Sequence, residues 1–223
     1  MKSNPCNKKS FSARARAKRV KLFADYLSRL KENNLTVLDI GGTINFWKMN
    51  ADFIPQNLIK AIDVVNLPPS KQKSMEINGI ELNMYEGNAL DLKTLRLNHY
   101  DIVHSNSVIE HVGNLKQQLI MANSVKKLGR FYWVQTPAKY FPIEPHFYVP
   151  FFSYLPLWVR TLLHKNFDLG FMRKEADWLK ARIACEQTRL LTKSELRAIF
   201  SNYRIIDEKF SFLIKSHIVT NLN

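Results

Sequence analysis

The fold is indicated by one short stretch, VLDIGGT at residues 37–43. Its apolar and β-branched residues, with Thr36 before them, predict a buried parallel strand, which the two glycines end. Glycine permits a positive φ and a close backbone approach. In open α/β sheets, ligands bind outside the carboxyl ends of such strands. The later glycines of a GxGxxG motif are replaced by Thr43, Ile44 and Asn45, which argues against a dinucleotide site.

Outward from this stretch, apolar strand patterns alternate with helix patterns. Strands are predicted at 59–65, 80–85, 101–103 and 131–135, and helices at 12–30 and 114–128. This alternation indicates an α/β domain with helices on both faces of a parallel sheet. A capping box at Thr192–Glu195 predicts a further helix, and runs at 204–210 and 212–219 predict an antiparallel pair at the sheet edge.

Positive charge is concentrated at the amino-terminal end. The formal net charge is +14, and ten of the 33 basic residues lie within the first 31 positions, against one of the 19 acids. Residues 1–11 are predicted to be a disordered basic arm, and residues 12–223 a single domain. The arm is compatible with RNA, an anionic membrane surface or an acidic substrate. The simpler explanation is a solvated segment ahead of a helix, because runs of charge are usually just solvated.

An insertion between the fifth strand and the capping-box helix, residues 138–189, begins with closely spaced aromatic residues and prolines. Three interpretations stay open. The segment is a lid over a largely apolar substrate pocket, a rigid hydrophobic cap or dimer contact, or an interfacial membrane contact.

Two further motifs follow in order: YDIVHSNSVIEHV at residues 100–112 and FYWVQTP at residues 131–137. Together with VLDIGGT, they resemble class I S-adenosylmethionine-dependent methyltransferases, especially the type 11 branch with its LDxG, YDxVxSxxVIEHV and TP motifs. The resemblance extends from about Asn34 to Val219. Residues 135–137 and 141–146 are also similar to one bacterial subgroup of that branch.

The resemblance implies a Rossmann-like three-layer sandwich with a mostly parallel seven-stranded sheet and an antiparallel C-terminal edge strand. It implies S-adenosyl-L-methionine as cofactor and S-adenosyl-L-homocysteine as product. It also assigns a set of cofactor-binding positions. These are Asp39, Gly41, Gly42, Thr43, Asp63, Asn66, Asn88, Ala89, Ser105 and Asn106.

Within that set, the family's acidic residue at the end of the second strand binds the ribose hydroxyls, a task that suits a carboxylate. Asp63 is favoured for this position, with Asn66 as the alternative register. Asn88-Ala89 stands where the family often has Asp-Ala, which holds the adenine amino group. Ser105 and Asn106 match the loop that lines the sulfonium and the acceptor pocket.

A general base is needed only if the acceptor must lose a proton, and histidine suits that role near neutral pH. His104 and His146 are the candidates, whereas His111 is expected to be structural. No metal-ligand spacing occurs. With two distant cysteines and no apolar run of membrane-spanning length, a cytoplasmic location is expected.

Three functions remain open. The first is a methyltransferase for a small-molecule, sugar or lipid-linked acceptor, which the sequence does not specify. The second is an RNA methyltransferase that uses the basic arm and would bind RNA in a salt-dependent manner. The third is a non-catalytic methyltransferase-like binding protein, because the later glycines of the first motif are missing and a fold does not guarantee an activity.

Overall fold

A computed structural model describes residues 11–69, 73–92, 99–143, 147, 149–170, 172–200 and 203–223. Eight strands form one sheet. They are β1 (Leu35–Ile40), β2 (Ile59–Asn66), β3 (Met75–Ile77), β4 (Ile80–Glu86), β5 (Tyr100–Asn106), β6 (Gly129–Pro137), β7 (Arg204–Phe210) and β8 (Leu213–Thr220). The helices are α1 (Phe11–Ser28), α2 (Ile44–Asn50), α3 (Leu115–Leu128), α4 (Leu157–Asn166), α5 (Trp178–Glu186) and α6 (Lys193–Ile199).

The strand order across the sheet is β3-β4-β2-β1-β5-β6-β8-β7. Strands β4, β2, β1, β5 and β6 are mutually parallel, and β8 pairs antiparallel with both β6 and β7. The mostly parallel sheet with an antiparallel C-terminal edge is therefore confirmed. The order reverses at β1, because β2 lies on one side of it and β5 on the other.

The strand count differs from the predicted seven. The additional strand, β3, pairs antiparallel with β4 through a two-residue turn at Asn78-Gly79. Both turn residues have positive φ, 51° and 77°. Asn-Gly favours this conformation, which matches the twist of the two strands. The hairpin therefore adds an eighth strand at the edge beyond β4.

Helices cover both faces of the sheet. On one face, α1 and α2 pack through Phe23 and Trp47 against strand residues that include Val37. On the other face, α3 and α6 pack against strand residues that include Leu38. Adjacent residues of a strand point to opposite faces, so Val37 and Leu38 belong to different cores. Together these layers form the predicted three-layer sandwich.

The starts of the helices and their buried apolar faces agree closely with the sequence patterns. In α1 the apolar residues Val20, Phe23 and Leu27, which are spaced three and four positions apart, are buried. Helix α1 begins at Phe11, the last residue of the predicted arm, and residues 1–10 lie outside the described part of the chain. Asn114 caps α3 and Thr192 caps α6, each with a complete capping box that satisfies backbone amides of the first turn.

The insertion contains a helical hairpin of α4 and α5. It has a small core of its own that includes Phe147, Phe152 and Cys185. His164 of α4 is buried, and its Nε2 lies 3.0 Å from the carbonyl oxygen of Arg173 in the segment leading to α5. Among the described helices, none combines the length and apolar character that crossing a membrane requires.

Candidate active site

The glycine turn after β1 lies where three parallel strands end. Gly41 has a φ of 74°, and its amide donates to the carbonyl oxygen of Val65 in β2 at 2.7 Å. A Cβ at Gly41 would stand 2.5 Å from a methyl group of Val108, in the loop after β5. Glycine is therefore required both by the backbone conformation and by the close approach of the two loops.

Asp39 lies beneath this turn and holds it to the core. Its carboxylate is buried, with one oxygen accepting from Trp47 Nε1 and the other meeting His104 Nδ1, each at 2.7 Å. A Cβ at Gly42 would stand 1.6 Å from Asp39 Oδ2, so the turn rests directly on the carboxylate. Asp39 is thus a support for the loop, and its two oxygens are already bonded inside the protein.

The structure places His104, the first candidate for a general base, within the core. The His104 ring is 4% exposed, and its centroid lies 5.1 Å from the rings of both Phe23 and Trp47. Phe46 stacks on a further side of the imidazole. A ring enclosed by aromatic side chains and bonded to Asp39 is held as part of the core and is screened from an acceptor. Sequence reasoning missed Phe46 and Trp47, although two aromatic residues directly after a glycine turn were a visible signal.

The two candidates for the position at the end of the second strand, Asp63 and Asn66, lie at different places in the structure. Asp63 lies in the middle of β2, and its carboxylate accepts from the Tyr100 hydroxyl at 2.6 Å and from Asn83 Nδ2 at 3.0 Å. Asn66 is the last residue of β2, and its Nδ2 donates to the carbonyl oxygen of Gly42 at 2.8 Å. The structure therefore brings Asn66, and not Asp63, to the glycine turn.

Two other predicted positions take part in local turns. Thr43 caps α2, because its Oγ1 accepts from the Phe46 amide at 3.1 Å. Asn88 lies in the loop after β4, where its Oδ1 accepts from the Leu90 amide at 2.9 Å and Ala89 is partly buried. The amide of Gly87 donates to the carbonyl oxygen of Asn66, so this loop lies beside the end of β2.

The end of β5 is tied to α1. Ser105 is buried and donates to the carbonyl oxygen of Ile40, whereas Asn106 accepts from Arg19 Nη1 at 2.7 Å. Arg19 also donates to Glu208 of β7 at 3.0 Å. Burial lowers the pKa of Arg19, and the carboxylate of Glu208 opposes that shift. Asn106 Nδ2 makes no hydrogen bond within the described part of the chain, so it is available as a donor. Sequence reasoning missed Arg19, because nothing local to α1 points to β5.

The second predicted base, His146, lies outside the described residues. His111 ends a short 3-10 turn after β5, and its exposed ring lies 3.5 Å from the hydroxyl of Thr188. The same turn holds Glu110, which is fully buried and accepts from Thr136 at the end of β6. Among the described residues, no group of three or more histidine, cysteine or acidic side chains could hold a metal ion.

No protein-family model and no curated protein matches the sequence. Solved structures do match its fold. Magnesium protoporphyrin IX methyltransferase from Synechocystis PCC 6803, with S-adenosylmethionine bound, is 12% identical with a TM-score of 0.58, over 99% of this chain and 85% of that chain. The N-terminal domain of EvdMO1, with S-adenosylhomocysteine bound, is 14% identical with a TM-score of 0.51, over 92% of this chain and 79% of that one.

The CurJ carbon methyltransferase is 11% identical with a TM-score of 0.56, over 95% of this chain. The chain spans 55% of the length of CurJ and 56% of an O-methyltransferase family protein from Burkholderia thailandensis. The three structures with TM-scores of 0.51 to 0.58 establish the fold that the three sequence motifs predicted. The chain has the class I S-adenosylmethionine-dependent methyltransferase fold.

Proposed function

We propose that this protein is an S-adenosylmethionine-dependent methyltransferase. The observation that carries the proposal is the glycine turn of Gly41 and Gly42 at the point where the strand order reverses. There the carboxyl ends of β2, β1 and β5 meet. In doubly wound sheets, ligands bind outside the carboxyl ends of the strands at this switch point.

The residues around the turn fit such a cofactor in part. The backbone of Gly41 and Gly42 would face its methionine and ribose portion, and Asn66 would stand beside the ribose. Asn66 has no carboxylate. Its Nδ2 bonds Gly42 and its Oδ1 already accepts from the Leu67 amide, so it offers one shared acceptor oxygen where two charge-assisted bonds are usual. The loop at Asn88 and Ala89 would receive the adenine. Asn106 would line the acceptor pocket, where its Nδ2 amide would donate to an oxygen of the acceptor.

When bound, the cofactor supplies a methyl group on a sulfonium. The contribution of this chain is to hold the acceptor in line with that methyl group, and positioning of this kind supplies ~7–11 kcal/mol of a barrier. The insertion would exclude water, because it starts directly after β6 and returns where the Arg189 amide donates to the carbonyl oxygen of Glu110. His146 stays a prediction as the base for an acceptor that must lose a proton.

The proposed acceptor is a small molecule, a sugar or a lipid-linked intermediate. A lipid-linked acceptor, with peripheral contact to a membrane surface, is supported by aromatic side chains of the insertion that are more than half exposed. They are Tyr140, Phe151, Tyr154, Trp158 and Phe167. Tyrosine and tryptophan favour the boundary between water and lipid, since one part of each ring system is apolar and another polar.

Calorimetric titration of S-adenosylhomocysteine into the protein tests the proposal. Saturable one-site binding is expected, and Asn66→Ala should weaken it roughly two- to tenfold, the usual worth of one hydrogen bond. Asn166→Ala is the matched control, because that side chain is exposed at the end of α4, where it bonds the carbonyl oxygen of Leu162. Absence of binding by the folded wild-type protein would contradict the proposal and favour a non-catalytic binding protein of the same fold.

A further inference from the structure

A cavity of about 120 Å³ lies within the insertion, and Leu190, the residue directly after the insertion, completes its lining. Lys139, two residues beyond β6, forms one wall, and Thr188 and Arg189 at the end of the insertion form another. The Arg189 amide bonds the carbonyl oxygen of Glu110, in the turn after β5. The cavity is therefore beside the carboxyl ends of β5 and β6, next to the proposed cofactor site.

The polar lining of this cavity is strongly positive. Among the described residues that line it, three are cations (Lys139, Arg160 and Arg189) and none is acidic. The hydroxyls of Ser153 and Thr188 are also part of the lining. The rest of the wall is largely apolar and includes two stacked phenylalanine rings of the insertion core. Apolar walls lower the local dielectric and strengthen the field of the cations.

The three cations differ in the hydrogen bonds and ion pairs that they already make within the protein. Arg189 donates to Gln118 and to Glu195, so its charge is balanced within the protein. Arg160 Nε, in contrast, is buried and has no hydrogen-bond partner among the described residues. Lys139 likewise makes no ion pair with any described residue. A buried donor without a partner is rare in folded proteins and calls for an explanation such as a ligand or a bound ion.

The size and chemistry of the cavity indicate which kind of ligand it binds. A water molecule accounts for about 30 Å³ of liquid, so the cavity holds roughly four waters or one small oxyanion. An oxyanion offers acceptor oxygens to the guanidinium, the ammonium and the two hydroxyls at once. Charge-assisted hydrogen bonds of this kind are the strong ones, and arginine is well suited to phosphate.

We propose that this cavity binds a phosphate group of the methyl acceptor, with Arg160 and Lys139 as the charged ligands. The inference rests on the proposed function and narrows its acceptor to a phosphorylated compound. The phosphate belongs either to a soluble metabolite or to a lipid headgroup. In both cases the group anchors the acceptor under the insertion, beside the strand ends where the methyl group would be presented.

Calorimetric titration of inorganic phosphate, at constant ionic strength maintained with chloride, tests the site without the cofactor. One saturable site is expected. Arg160→Gln and Lys139→Gln should each weaken binding about tenfold or more, because each removes a hydrogen bond to a charged group. Arg173→Gln is the matched control, since Arg173 is exposed and does not line the cavity. Absence of saturable binding, or equal weakening by Arg173→Gln, would overturn the proposal.

Two further measurements complete the test. Arg160→Lys keeps the charge but loses the fork of donors, so it should bind phosphate more tightly than Arg160→Gln does. Titration of S-adenosylhomocysteine into the same variants should be unchanged, so loss of the phosphate site is distinguished from failure of the cofactor proposal.

Vesicles of phosphatidylcholine with and without phosphatidic acid distinguish a lipid headgroup from a soluble metabolite as the source of the phosphate group. Binding that needs phosphatidic acid, is competed by inorganic phosphate and is lost in Arg160→Gln supports a lipid headgroup. Binding of inorganic phosphate without binding of vesicles supports a soluble acceptor.

Discussion

The buried carboxylate of Asp39 allows a stability prediction that can be worked from the structure. In Asp39→Ala, the indole Nε1 of Trp47 and the Nδ1 of His104 both lose their only carboxylate partner. Each buried polar group left unsatisfied costs ~1–3 kcal/mol, so the free energy of unfolding should fall by roughly 2–6 kcal/mol. That is a large part of the ~5–15 kcal/mol available to a typical domain.

Asp39→Asn separates the hydrogen bonds from the charge. Its amide oxygen can accept from Trp47, and its NH₂ group can donate to His104 Nδ1 if the imidazole adopts the other tautomer. Asp39→Asn should therefore lose clearly less stability than Asp39→Ala. Urea unfolding measures both variants, with Asp25→Ala on an exposed position of α1 as control, expected within about 0.5 kcal/mol of wild type. A loss below about 1 kcal/mol for Asp39→Ala, or equal losses for both Asp39 variants, would refute the reasoning.

Three further predictions concern stability. Gly42→Ala places a Cβ against Asp39 Oδ2, so thermal unfolding should show a loss of about 1–3 kcal/mol or more, and an unchanged midpoint would count against the packing of the turn. Tyr100→Phe removes the hydrogen bond to the Asp63 carboxylate, so urea unfolding should show that the free energy of unfolding falls by roughly 1.5–3 kcal/mol. An unchanged free energy of unfolding would contradict this hydrogen bond. The pKa of Glu195 is lowered, because hydrogen bonds from Thr192 and Arg189 outweigh the opposing effect of burial. Its contribution is therefore present above the unfolded pKa of about 4.5 and is lost as the pH falls through the lower folded pKa. Glu195→Gln should lower the free energy of unfolding by about 1 kcal/mol at neutral pH. Urea unfolding should show that this difference from wild type disappears in acid. A difference that stays constant with pH would contradict the lowered pKa of Glu195.

Much of the fold could be predicted because its signals are local. The capping boxes at Asn114 and Thr192 fix where α3 and α6 begin, and short apolar runs ended by glycine or proline mark the central strands. The Asn78-Gly79 turn is an equally local signal for the hairpin that contains β3. The helices of the insertion were harder to predict, because aromatic residues and prolines crowd its first part and hide the helical period.

The site was less predictable because it depends on register and on contacts that are distant in sequence. Asp63 and Asn66 are three residues apart, and only the pairing of β2 with its neighbours shows that the strand ends at Asn66. The enclosure of His104 depends on Phe23 of α1, 81 positions away in the chain. Arg19 reaches both β5 and β7, and no pattern within α1 indicates those partners.

The central claim is that the cofactor binds at the glycine turn, and an NMR titration with S-adenosylhomocysteine tests it most directly. The four tryptophans give four indole reporters: Trp47 beneath the turn, Trp133 within β6, and Trp158 and Trp178 in the insertion. The account predicts saturable shifts of the Gly41, Gly42 and Asn66 amides and of the Trp47 indole, with one dissociation constant, while the Trp178 indole stays unchanged. Shifts confined to the insertion, or no shifts at saturating ligand, would contradict it.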